Sequence, residues 1–143
     1  MPQFEQIAAR GQIVPLLFVQ DNVAASQTDV QLNIQEVAAA AALLVQGISM
    51  PWAGSVVGIS VDLSSAATAG QLTVGVTNGG TEAAATTQTI TTQTAKTAVF
   101  PQGSVTFVAG DKLGVEITTN GTWDATTADL AVTVYVLLDC IGA

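Results

Sequence analysis

The residues best equipped for chemistry in this chain are two pairs of carboxylates, Asp111 with Glu116 and Asp124 with Asp129. Two carboxyl groups held roughly 5–10 Å apart can divide acid and base roles in glycoside hydrolysis. Here the local pattern places them in turns or on the outward positions of strands, where no cleft would hold a substrate. The chain contains no histidine, so a serine or cysteine nucleophile would lack its usual general base. No Gly-x-Ser-x-Gly elbow is present, and Gly54-Ser55-Val56-Val57-Gly58 lacks the Lys-Ser/Thr ending of a phosphate-binding loop. Calcium could use Asp21, Asn22, Asp111 or Asp124 with nearby carbonyls. The spaced Asp/Asn ladder of a dedicated calcium loop is missing, and turn formation by Asp21, Asp111 and Asp124 is the preferred account. Trp52 and Trp123 could offer their faces to a sugar, yet packing over the end of a domain or at a subunit contact explains each of them too. Asn120-Gly121-Thr122 has the form of a glycosylation acceptor, which only a secretory route would use. The expectation is a protein that is not an enzyme and holds no cofactor or metal.

Composition points the same way. Charged residues make up 10% of the 143-residue chain, against about 25% in a typical soluble domain. Hydrophobic residues reach 49% and mean hydropathy is +0.50. No apolar run approaches the roughly 18 residues of a membrane span; the longest, residues 37–45, is mostly alanine. A chain with so few charges is expected to cover its surface with other subunits, since obligate interfaces are more apolar than free surface. Its net charge of -8 and its three basic residues, Arg10, Lys96 and Lys112, argue against nucleic acid or an anionic membrane as partner. The single cysteine, Cys140, excludes an intramolecular disulfide. The N-terminus lacks a basic start and an apolar core, so synthesis in a cytoplasm is expected.

The elements that position these residues read as strands. Residues 1–11 form an extended arm, and residues 12–143 a single β-domain. Ile13 to Val19 is apolar on both parities and carries Pro15, which assigns it to a sheet edge. Val30, Leu32 and Ile34 alternate with polar residues as a second strand. Residues 36–48 are ambiguous, with strand expected from Leu43 to Ile48. The clearest pair follows Pro51-Trp52. In the first strand Val57, Ile59, Val61 and Leu63 share one parity, and in the second Leu72, Val74 and Val76 do so. Thr77-Asn78-Gly79-Gly80-Thr81 is a tight turn. Thr86 to Thr94 suits a solvent-facing strand. Short strands at 96–100 and 105–108 precede Lys112 to Thr118, with Leu113, Val115 and Ile117 inward. The last strand runs from Leu130 to Leu138. About eight strands with no convincing helix predict an all-β antiparallel sandwich, an eight-stranded jelly roll.

The segment Pro51-Trp52-Ala53-Gly54-Ser55-Val56-Val57-Gly58-Ile59-Ser60-Val61 resembles one that recurs in small β-sandwich proteins of tailed bacteriophages. Thr68-Ala69-Gly70-Gln71-Leu72-Thr73-Val74 continues the likeness. So do Phe107 with Ala109-Gly110-Asp111-Lys112-Leu113-Gly114-Val115, and the stretch Trp123 to Asp129. The resemblance covers roughly residues 50–138. It implies a jelly-roll structural protein of the virion, either a trimeric head decoration (cement) protein or the tip of a tail fibre. Trp52 departs from the pattern, and the first 40 residues have no counterpart in it.

On the first reading the chain is made in the host cytoplasm and ends on the outer capsid surface as a homotrimer. Its partners are the major capsid protein and itself. Phe4, Ile13, Leu16, Leu17 and Phe18 are the expected capsid or subunit contacts, and deleting residues 1–20 is expected to leave the sandwich folded. On the alternative reading a fibre tip binds a receptor or glycan through loops that carry Trp52, Asn78, Asn120 and Trp123.

Overall fold

The computed structural model describes residues 12–35 and 47–139, which form two antiparallel sheets packed face to face as a β-sandwich. The arm at 1–11 with Phe4, residues 36–46 of the ambiguous stretch, and Cys140 lie outside the described residues. One sheet, called A, has the order β1 (Gln12–Gln20), β11 (Leu130–Leu138), β4 (Gly54–Leu63), β8 (Ala95–Val99), with β9 (Thr106–Phe107) also on β4. The other, sheet B, has the order β2 (Val30–Gln31), β10 (Lys112–Thr119), β5 (Leu72–Asn78), β6 (Thr81–Glu82). Within sheet B, β3 (Ile48–Ser49) also pairs with β10, and β7 (Gln88–Ile90) with β5. The short strands share edges. β2 and β3 pair with different stretches of β10, β6 and β7 with different stretches of β5, and β8 and β9 with different stretches of β4. The eleven strands among the described residues thus fill eight positions, four in each sheet.

Alternation sets the core. Val132, Val134 and Val136 of β11 face Val74 and Val76 of β5 and Val115 and Ile117 of β10 from the opposite sheet, all of them buried. Side chains of this size each contribute about 1.5–3 kcal/mol when fully removed from water. The expected inward sets on β5, β10 and β11 are the observed ones. Strand β4 differs from expectation at one residue. Val136 pairs with Val56 while Tyr135 pairs with Gly58, so Val57 is the extra residue of a β-bulge. Beyond the bulge the parity changes, as an inserted residue requires. Val56 is therefore fully buried and Val57 only partly.

Strand β1 is an edge, and Pro15 fits there for a traceable reason. Val19 N–H donates to the Asn33 carbonyl at 2.7 Å, and Asn33 N–H returns a bond to Val19 at 3.2 Å. Val19 thus directs its backbone groups away from β11, and by the two-residue period so do Leu17, Pro15 and Ile13. The missing N–H of Pro15 falls on the free side of the strand and leaves the β11 ladder intact.

Three expectations are corrected. The second strand is only Val30–Gln31, with Ile34 turned out to solvent, because the chain leaves β10 to bridge to Val19. The threonine-rich stretch is not a solvent-facing strand. It forms a 3-10 turn at Ala84–Thr86 and the short β7, and Thr86 is fully buried. Its hydroxyl accepts the Val76 N–H at 2.9 Å and donates to the Ala83 carbonyl at 2.7 Å, which makes a buried threonine tolerable. Finally, deleting residues 1–20 would not leave the sandwich folded, because residues 12–20 are an integral strand of it. All nine residues of β1 pair with β11, and Phe18 is fully buried in the core.

Candidate functional site

Sheet A has an outer face built by four strands whose outward residues are almost all uncharged. Strand β1 contributes Ile13, Pro15 and Leu17, and β11 contributes Leu137, Tyr135 and Thr133 directly opposite them. Gly58 and Ser60 of β4 come next, followed by Val99 and Thr97 of β8. Ile13 is 61% exposed, Leu17 53% and Val99 87%. Between these ridges runs an open groove of about 280 Å³, lined by Ile13, Val57, Gly58, Thr97, Val99 and Tyr135. Gly58 forms its floor, because at that position no side chain stands between Tyr135 and Val99. The one charged residue in these outward rows is Asp62, near the end of β4 between Ala131 and Ala95. This exposed, largely uncharged patch on a chain of net charge -8 is the candidate interaction surface.

The expected contact residues divide by parity. Ile13 and Leu17 stand on the outer face, whereas Leu16 packs partly against the core and Phe18 lies wholly inside it. The run was apolar on both parities, and pairing with β11 decides which half faces water. Val99, Tyr135 and Val57 belong to the same face and were not singled out from the sequence. Their signal was weak: a bulge, one aromatic on an outward parity, and an apolar residue on a short strand.

The two tryptophans are not brought together. Trp52 precedes β4 and is exposed, while Trp123 lies in the loop that enters β11 opposite the far end of β4. The ten residues of β4 separate them, about 30 Å at 3.3 Å per residue. Trp123 is 2% exposed, and its indole N–H donates to the Val23 carbonyl at 3.0 Å. Gly70 is packed against the backbone of Trp123 with φ +89°, a conformation and a closeness that only glycine accepts. Trp123 therefore serves as a plug under the end of the sandwich. Asn78 and Asn120, the other loop residues of the glycan reading, both make hydrogen bonds within the fold: Asn78 to Asp111 at 2.9 Å, and Asn120 from Gln71 N–H at 3.1 Å.

The carboxylates are structural clasps. Asp111 accepts the Val108 N–H and the Asn78 amide, each at 2.9 Å, and these bonds hold its carboxyl below the ordinary range. Asp124 accepts the hydroxyl and the N–H of Thr68, which lower its pKa in the same way. Asp129 accepts the Asn22 N–H at 3.3 Å. Glu116 is the exception. It is buried on the outer side of sheet B beside Gln31, and burial, then the charges of Asp29 and Glu82, push its carboxyl up. Glu82 reaches it by lying across Gly75, where any Cβ would collide with its carboxylate. Among the described residues, no three His, Cys, Asp or Glu side chains gather in a manner that could hold a metal ion. No helix among them is long and apolar enough to cross a membrane. Compared with known proteins, the chain matches no family model and no curated protein.

Proposed function

We propose that this chain is a structural protein of a phage particle, a homotrimeric decoration (cement) protein that binds the outer surface of the head and stabilises the shell. The observation that carries the reading is the outer face of sheet A, where Ile13, Leu17, Val99 and Tyr135 stand exposed among uncharged residues and Asp62 is the one charge, on a chain of net charge -8. Copies that repel one another elsewhere can approach through this face without bringing carboxylates together. Ile13 and Leu17 are its anchors, with Val99 and Tyr135 completing the patch. We read the strand positions, four in each sheet with most connections crossing between sheets, as a jelly roll. The likeness of residues 50–138 to phage β-sandwich proteins points to the same class. Many copies on a lattice would multiply a weak contact into tight overall binding.

The test is the copy number of the protein relative to the major shell protein in purified particles, by quantitative gel or mass spectrometry. A near-stoichiometric count is expected. A handful of copies per particle would overturn the head assignment and move the protein to the tail. Particles stripped of the protein and then offered the Ile13→Ser/Leu17→Ser variant should remain undecorated. This variant replaces a deletion of residues 1–20, which would remove an integral strand.

A further inference from the structure

Two Asn-Gly dipeptides occur in the chain, Asn78-Gly79 and Asn120-Gly121, both at turns. In such a pair the glycine nitrogen can attack the preceding carboxamide, because glycine has no Cβ to shield it. The fold holds the two pairs in opposite ways. Gly79 N–H donates to the Lys112 carbonyl at 2.9 Å, so the nitrogen that would attack is engaged. The Asn78 amide donates to the Asp111 carboxylate at 2.9 Å, and a negative charge there opposes the anion that attack creates.

Asn120 is arranged for the reaction. Its Oδ1 accepts the Gln71 N–H at 3.1 Å and the Thr122 hydroxyl at 3.2 Å. Attack at Cγ would place negative charge on that oxygen, and two donors already face it, as in an oxyanion hole. Among the described residues nothing accepts the Gly121 N–H, and none takes a bond from Asn120 Nδ2. Both residues are exposed, so hydroxide can reach the proton and ammonia can leave. Gly121 is not required by the turn. Its φ lies outside the left-handed region, and an added Cβ would meet only Ser26 Oγ at 3.5 Å, an ordinary contact.

We propose that Asn120 is a self-modification site of the folded chain, converting to aspartate and isoaspartate while Asn78 is protected. Hydroxide removes the Gly121 amide proton, and the nitrogen forms a bond to Asn120 Cγ. The bond from Cγ to Nδ2 breaks, and ammonia leaves with a proton from water, which restores the hydroxide. Water then opens the succinimide. Cleavage at Cγ gives aspartate, and cleavage at the main-chain carbonyl gives isoaspartate. No atom changes oxidation state. Aspartate keeps the acceptor for Gln71 and Thr122 and adds one negative charge. Isoaspartate routes the main chain through the side chain and disturbs the bonds the Asn120 carbonyl accepts from Ser26 N–H at 3.2 Å and Trp123 N–H at 3.3 Å.

The folded full-length chain is incubated at mildly alkaline pH, and both sites are followed by peptide mass mapping with enzymatic labelling of isoaspartate. Asn120 is expected to react about tenfold or more faster than Asn78, the ratio set by a barrier difference of about 1.4 kcal/mol. In urea the two rates should converge, which assigns the selectivity to the fold. Gly121→Ala should suppress reaction at Asn120 while leaving the thermal midpoint in place, and Thr122→Val should slow it by removing one donor. Equal rates in the folded chain, faster reaction at Asn78, or an inert Asn120 in the folded chain that reacts only in urea would each overturn the proposal.

Discussion

The two sheets share one core and present opposite outer faces. On sheet B the outward positions are polar and tied to one another. Gln31 Nε2–H donates to Glu116 at 3.3 Å, the Thr77 hydroxyl donates to Gln31 Oε1 at 3.3 Å, and the Thr87 hydroxyl donates to Glu82. That face covers itself. On sheet A the outward rows set Ile13, Leu17, Val99 and Tyr135, all exposed, among Pro15, Gly58, Ser60, Thr97 and Thr133. An antiparallel sheet needs only one buried face, so the folding of the sandwich does not explain the apolar residues outside sheet A. Among the described residues, four of the seven large hydrophobic side chains left exposed, Ile13, Leu17, Val99 and Tyr135, share this face, while Ile34, Trp52 and Val108 lie outside its strands.

The sharpest way to break this comparison uses two neighbouring residues on opposite sides of the same strand. Phe18→Ala should cost about 3–5 kcal/mol, the penalty for deleting a fully buried aromatic. Leu17→Ala should change the stability of the isolated chain by no more than about 0.5 kcal/mol. Urea denaturation of both variants measures the contrast, and similar losses would mean that the outer face is buried within the chain itself. Next in size is the effect on association. Ile13→Ser with Leu17→Ser should shift the particle mass in light scattering from oligomer to monomer while the circular dichroism spectrum stays unchanged. Raising the ionic strength should strengthen association of the unaltered chain by screening its like charges; weakening with salt would point to an interface made by ion pairs instead.

Sheet B offers the smaller, pH-dependent effects. Glu116 has its pKa raised in the folded chain by burial and by Asp29 and Glu82. A raised carboxyl pKa means that the ionised form costs stability, so this group favours folding when protonated and that benefit is lost as pH rises through the folded value. Glu116→Gln should therefore stabilise the chain at pH 7, and the gain should shrink as pH falls through the raised folded value and be gone below the ordinary value of 4.5. Asp111 and Asp124 act in the opposite sense. Their pKa values are lowered by hydrogen bonds, so their contribution is present above the ordinary value of 3.8 and is lost as pH falls through the folded values. Thr68→Val, which removes the hydroxyl bond to Asp124, should lessen the destabilisation seen on acidification. Thermal melts from pH 2 to 7 would read both trends, and a Glu116→Gln gain that grows on acidification would contradict the reading of sheet B.

Much of the sandwich was legible in the chain. The period-2 runs of β5, β10 and β11 pointed to their own inward residues, because alternation is a local property that any strand pairing must respect. Pro15 identified an edge for the same kind of reason, through a missing donor. Other features depended on partners distant in sequence. Val57 lost its inward place to Val56 because a bulge against Tyr135 and Val136 shifted the register. Thr86 went inside because the Val76 N–H needed an acceptor there. For Trp123 the sequence left packing over the end of the sandwich, a subunit contact and sugar stacking open, and it became a plug because Val23 and Gly70 come to it from elsewhere in the chain. The sequence by itself determined the all-β class, most of the core and the lack of histidine chemistry, all of which follow from residue types and local spacing. Only the tertiary structure decided that Ile13, Leu17, Val99 and Tyr135 form one bare face while Gln31, Glu116 and Glu82 cover the other. That outcome depends on which strands become neighbours, and strand order is a long-range choice that no local pattern encodes.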